Sequence, residues 1–182
     1  MNKTLITTCF LILSGYSYFS LGNEINTNVA QTQNLITQPH SEDYPAPPIY
    51  KGKPAKLSLD SELAKTFRTR LTAALSQDPF YAGEYVRTGW GCGSSGCYYE
   101  VLLNKRTGKV LETTFSAYSV QDTISGDDIR VGEWIGTANI DSRLLTTTEV
   151  QESNDGKSFI SFTKFYLINN GKLELIKMVQ DQ

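Results

Sequence analysis

From Tyr81 to the C-terminus apolar residues recur with period two, and that alternation constrains the fold more than any other feature of the chain. Such a pattern gives each strand one face for a core and one for water. The stretches 81–88, 97–104, 109–115, 129–135, 142–150, 158–168 and 172–179 are rich in Tyr, Val, Ile, Thr and Phe and read as strands. Thr107-Gly108, Asp155-Gly156 and Asn170-Gly171 separate several of them. Asn-Gly and Asp-Gly accept positive φ at both central positions of a tight hairpin turn. Connections this short join antiparallel neighbours, because a parallel crossover needs a dozen or more residues.

Before Pro79 the period is helical. Leu63, Phe67, Leu71, Ala74 and Leu75 share one face, with Asp60 as the expected N-cap and Pro79 as the stop. Arg68 and Arg70 read as a solvated face. The fold class expected is α+β: one N-terminal helix packed on a curved, mainly antiparallel β-meander of about six or seven strands.

The N-terminus reads as a leader for export. Lys3 supplies a positive start, Leu5 to Leu21 is largely apolar and uncharged, and Ser20 and Gly22 are small residues before a cleavage point at Asn23. The apolar run is shorter than the roughly 20 residues a spanning helix needs, so no integral membrane anchor is expected. The expected organisation is a signal peptide at 1–22, a polar, Pro-rich tether at 23–56 and one α+β domain at 57–182. Within the tether, Tyr44-Pro-Ala-Pro-Pro-Ile-Tyr50 is read mainly as linker, with an extended arm across the domain as the alternative. Of seventeen basic and nineteen acidic residues only Lys3 leaves with the leader, so the net charge goes from −2 to −3. That balance gives no electrostatic case for nucleic acid or an anionic membrane.

Cleavage removes Cys9 and leaves Cys92 and Cys97, an even pair that reads as a disulfide in a periplasmic or secreted protein. They close the most distinctive stretch, Thr88-Gly-Trp-Gly-Cys-Gly-Ser-Ser-Gly-Cys97. Gly91 to Gly96 matches G-x-G-x-x-G, but Cys97 to Leu103 reads as a strand and not as the helix a dinucleotide site requires. Two thiolates are too few for structural zinc, and the lone histidine, His40, sits in the tether. The candidate recognition loop is therefore Trp90, Gly91, Gly93, Ser94, Ser95 and Gly96, pinned by the bridge, with Trp90 as its exposed anchor; the equal alternative is that Trp90 fills the core and the loop is a stapled hairpin connection.

Arg68-Thr-Arg-Leu71, Phe80-Tyr-Ala-Gly-Glu-Tyr85, Trp90-Gly-Cys-Gly93 with Cys97, Lys105-Arg-Thr-Gly-Lys-Val110 and Asp141-Ser-Arg-Leu-Leu145 together resemble an uncharacterised group of secreted bacterial proteins with a W-G-C-G-x(n)-C loop. The likeness covers most of residues 50–182, and the resemblance implies no activity. Small exported proteins of this kind include immunity partners of antibacterial toxins.

The expected domain holds no histidine, which removes Ser-His-Asp and Cys-His catalysis. Ser94 and Ser95 have no evident base, with a Ser–Lys arrangement as the one open alternative, and Asp122 to Asp128 lacks the closing Glu of a calcium loop. No catalytic residue, metal or cofactor is assigned. Glu84, Glu100, Asp127, Asp128, Glu133 and Asp141 could supply a carboxyl pair for glycoside hydrolysis, but read first as solvated acids of strands and turns. The function expected is a non-enzymatic binding protein acting on another exported protein, as an inhibitor or immunity protein for a toxin or hydrolase. The alternative is a carboxylate-dependent hydrolase acting on envelope polysaccharide. The sequence carries no signal for oligomeric state.

Overall fold

Asn170 and Gly171, with φ of 48° and 77°, make the tight turn their sequence calls for, and the hairpin they close ends a continuous antiparallel meander. The computed structural model describes residues 38–182 except 95, 123, 124, 155 and 157. The expected leader, 1–22, and residues 23–37 of the expected tether lie outside the described residues. Seven strands pair in chain order: β1 (Tyr85–Gly91), β2 (Tyr98–Asn104), β3 (Val110–Gln121), β4 (Asp128–Ala138), β5 (Leu144–Glu152), β6 (Phe159–Asn169) and β7 (Lys172–Gln180).

The α+β expectation is corrected. In place of one N-terminal helix there are two short ones, α1 (Glu62–Thr66) and α2 (Arg68–Ala74), and the fold is β-rich. The break falls at Phe67, whose φ of −104° and ψ of 26° leave the helical region. Its ring stacks on Trp90 with centroids 4.2 Å apart. The β-branched Thr66, Thr69 and Thr72 favour helix weakly, so propensity does not resist that pull. The N-cap is Ser61, one residue past Asp60; its hydroxyl accepts the Ala64 N–H at 3.1 Å. Helices this short cannot form a layer. They cover one face of β1 and β2, where Ala64, Leu71, Ala74 and Leu75 meet Val86, Trp90, Val101 and Leu103.

The other face holds a second core of Tyr81, Tyr85, Leu102, Leu111, Phe115, Ile135, Leu145 and Ile168. β2 is thus buried on both sides, which is why Val101-Leu102-Leu103 breaks the alternation. Register shifts in the β2–β3, β4–β5 and β6–β7 pairings curl the sheet around this second core. Phe115 on β3 thereby meets Tyr166 on β6, with ring centroids 6.3 Å apart.

Residues from Ser41 onward, read from composition as tether, run against the meander. Pro45 bridges Ser142, and the amides of Ala46, Tyr50, Ala55 and Ser58 donate to the carbonyls of Asp141, Gly83, Lys105 and Gly108 at 2.8 to 3.0 Å. The arm thus spans the β4–β5 turn, the Tyr81–Glu84 turn and the β2–β3 turn, at the end of the sheet opposite the cysteines. Any Cβ at Gly108 would collide with the Lys56 carbonyl, so glycine is required where the arm crosses.

Candidate functional site

The β1–β2 connection is short because its ends are bonded twice. Cys92 and Cys97 form a disulfide with Cα atoms 5.0 Å apart, and the Cys92 N–H donates to the Cys97 carbonyl at 3.0 Å. Gly93 and Gly96 take φ of 157° and 62°, the second in the left-handed region that favours glycine. Gly91, Gly93, Ser94 and Gly96 are exposed, and Ser95 lies outside the described residues.

Of the two readings open for Trp90, exposed anchor or core residue, its burial fits the second. It is 8% exposed and packs among Phe67, Leu71, Val86 and Val101. Arg70 adds a cation–π contact 5.9 Å from its ring and donates from Nη1 to the Gly89 carbonyl at 3.2 Å. The reason is register: Trp90 shares the helix-facing side of β1 with Val86, four residues away. The exposed aromatics beside the loop are instead Tyr98 and Tyr99 on β2 and Tyr118 on β3, each more than a third exposed. Tyr98 lies across Gly89, where an added Cβ would come within 2.6 Å of its ring. Tyr99 stays partly covered by Trp90, with centroids 6.2 Å apart. The run Cys97-Tyr98-Tyr99 was visible in the sequence; its exposure was not.

The six candidate carboxylates separate into two kinds. Asp127, Asp128 and Asp141 are exposed, as solvated turn acids should be. Glu84, Glu100 and Glu133 are not. Glu84 accepts from Asn104 Nδ2 at 2.7 Å and pairs with Arg106 at 2.6 Å, which ties the Tyr81–Glu84 turn to the β2–β3 turn. Glu100 is 3% exposed, pairs with Arg87 at 2.5 Å and accepts the Ile135 N–H at 3.1 Å. The β3–β4 ladder stops at Ala117 and Gly132, so the Glu100 carboxylate satisfies an amide beyond the ladder's end.

Glu133 belongs to the fullest polar cluster of the inner face. It accepts from Thr147 Oγ1 at 2.6 Å and Tyr166 OH at 2.9 Å, and it pairs with Lys164 Nζ at 3.1 Å. Lys164 also pairs with Glu149 at 2.7 Å. Glu133 and Glu149 stand directly opposite each other across β4 and β5, a juxtaposition that repels unless a cation is shared. Burial alone would lower the Lys164 ammonium, but its bonds to Glu149 and Glu133 outweigh that and hold it well above the usual lysine range. Burial, helped by the Glu133 bond, pushes the Tyr166 phenol up to about 12. The cluster is therefore one fixed cation and a phenol that stays protonated, both donating to carboxylates. Lys164, Glu149 and Tyr166 were missed from sequence; the one available signal was a lysine inside an apolar strand, Phe162-Thr-Lys-Phe-Tyr166.

A separate groove of about 1040 Å³ lies at the arm end, lined by Pro47, Ser61, Glu84, Asn104, Arg143 and Asn169 among others. It holds neither the stapled loop nor the Lys164 cluster. Comparison with protein-family models, curated proteins and solved structures finds no match to this chain.

Proposed function

We propose that the chain is an exported, non-enzymatic binding protein that engages another exported protein through the cysteine end of its sheet. The observation that carries this reading is a covalently closed, exposed turn flanked by Tyr98, Tyr99 and Tyr118. A preformed turn spares a binding partner the cost of ordering it, and tyrosines give rigid contact area at low entropic cost. Export is supported by the leader-like pattern of residues 1–22 and by a disulfide that an oxidising compartment would maintain. An inhibitor or immunity role for a toxin or hydrolase is the finer form of the proposal.

The carboxylate-hydrolase alternative gains little from the geometry. In the Glu133–Glu149 pair an ammonium occupies the place where a hydrolase needs a sugar ring, and Thr147 and Tyr166 both donate to Glu133 Oε1. Two measurements test the proposal. Cell fractionation should recover a soluble envelope form beginning near Asn23. Cross-linking there should give a discrete adduct that the double variant Tyr98→Ala/Tyr118→Ala loses and Thr107→Ala keeps. A full-length form held in the membrane would overturn export, and an adduct indifferent to the tyrosines would move recognition elsewhere.

A further inference from the structure

The two edges of the sheet are finished differently. Along β1, α2 packs close and Arg70 caps the Gly89 carbonyl, which is how natural sheets cover an edge. β7 pairs with β6 on one side, and among the described residues no strand pairs with its other side. Leu175, Ile176 and Met178 on this strand are 51%, 40% and 53% exposed.

We propose that β7 pairs antiparallel with β7 of a second copy of this chain about a two-fold axis, making a dimer by edge-to-edge extension of the sheet. A two-fold pairing matches residues whose numbers sum to a constant, and one register makes Lys172-Leu-Glu-Leu-Ile-Lys-Met-Val179 complementary to itself. With Leu175 opposite Ile176 of the second copy, Glu174 meets Lys177, Leu173 meets Met178 and Lys172 meets Val179. Moving the register by one residue either way sets both Glu174 and Lys177 against apolar side chains.

The bulge in β7 makes this register possible. Tyr166 pairs with Leu175 and Phe165 with Lys177, so Ile176 is the extra residue. Without it, Glu174 and Lys177 would point to opposite faces. With it, Glu174 pairs with Leu167 and Lys177 with Phe165, on one face, while Leu173 pairs with Ile168 and Met178 with Lys164 on the other. Cross-strand partners must share a face to interact, and the Glu174–Lys177, Leu173–Met178 and Lys172–Val179 pairs of this register do.

Sedimentation equilibrium of the purified chain tests the proposal, with thermal melting of each variant as the control for folding. The expected mass is twice that of the monomer. Glu174→Lys sets lysine against lysine twice across the axis, and Lys177→Glu sets glutamate against glutamate; each should weaken the dimer roughly tenfold or more. The double reversal Glu174→Lys/Lys177→Glu restores opposite charges and should restore the dimer. A chain that stays monomeric at every concentration, or a dimer equally tight in all variants, would overturn it. So would single variants that melt normally beside a double variant that fails to recover.

Discussion

Trp90 shows how one side chain can change role while its neighbourhood keeps the form the sequence suggested. Its setting among glycines and cysteines left an exposed and a buried role open, and strand parity turns it toward Phe67 and α2. Trp90→Ala should therefore cost about 3–5 kcal/mol in a denaturation midpoint, since the cavity would open beneath α2. A loss below about 1 kcal/mol, the range of most surface changes, would restore the exposed-anchor view. Glu100 is the second case at this scale. It is buried, bonded to Arg87 and to an amide that no β3 carbonyl reaches. Glu100→Ala leaves that N–H unsatisfied and Arg87 without its partner, so a loss of about 3 kcal/mol is expected. Glu100→Gln keeps an acceptor for Ile135 and should recover part of it. Equal losses for the two would mean that the charge alone matters. No sequence pattern distinguished Glu100 from a solvated strand acid, because its role depends on where a neighbouring ladder ends.

Strands were legible where turn chemistry bounded them. Asn170-Gly171 placed the β6–β7 turn, and β2 begins one residue from the expected start. Boundaries slipped where tertiary contacts decide. Tyr81 to Glu84 reads as strand but forms a turn, with Ala82 at φ 47° and Gly83 at φ 73° against the Pro47 carbonyl. The arm and the turn specify each other, and neither is periodic. The helix pattern was correct in its apolar face and wrong in its continuity, because Phe67 serves both helices and the Trp90 cluster. At the level of the β1–β2 hairpin, the disulfide closes so small a ring that chain entropy accounts for about 2 kcal/mol at most. Replacing Cys92 and Cys97 together by serine should thus leave a folded chain with a slightly lower melting temperature. Collapse of near-ultraviolet circular dichroism at room temperature would show instead that the hairpin depends on the bridge.

On the scale of the whole molecule, the sheet is held by cores on both faces and by donors that must stay protonated. Among the described residues every buried side-chain nitrogen and oxygen has a partner, so the polar interior adds specificity without orphaned groups. Several of those partners titrate together. Tyr81 donates its hydroxyl to the Arg143 carbonyl and Tyr166 donates to Glu133. Burial raises Tyr81, Tyr85 and Tyr166 above the ordinary tyrosine value of 10.0, Tyr166 to about 12, while the Glu149 and Glu133 bonds hold Lys164 above 10.5 despite its burial. The sign follows from proton uptake. In the unfolded chain these groups lose their protons near their ordinary values, whereas in the fold they keep them longer. Their contribution is complete below about pH 10 and is lost as pH climbs through the folded values. Stability should therefore be insensitive to these groups at neutral pH and fall steeply between pH 10 and about 12. Urea midpoints measured along that range, beside phenolate absorbance, check it. The buried tyrosines should ionise only as the chain unfolds. A single wave of tyrosine ionisation near pH 10 with the fold intact would mean that the phenols reach water without disturbing the core.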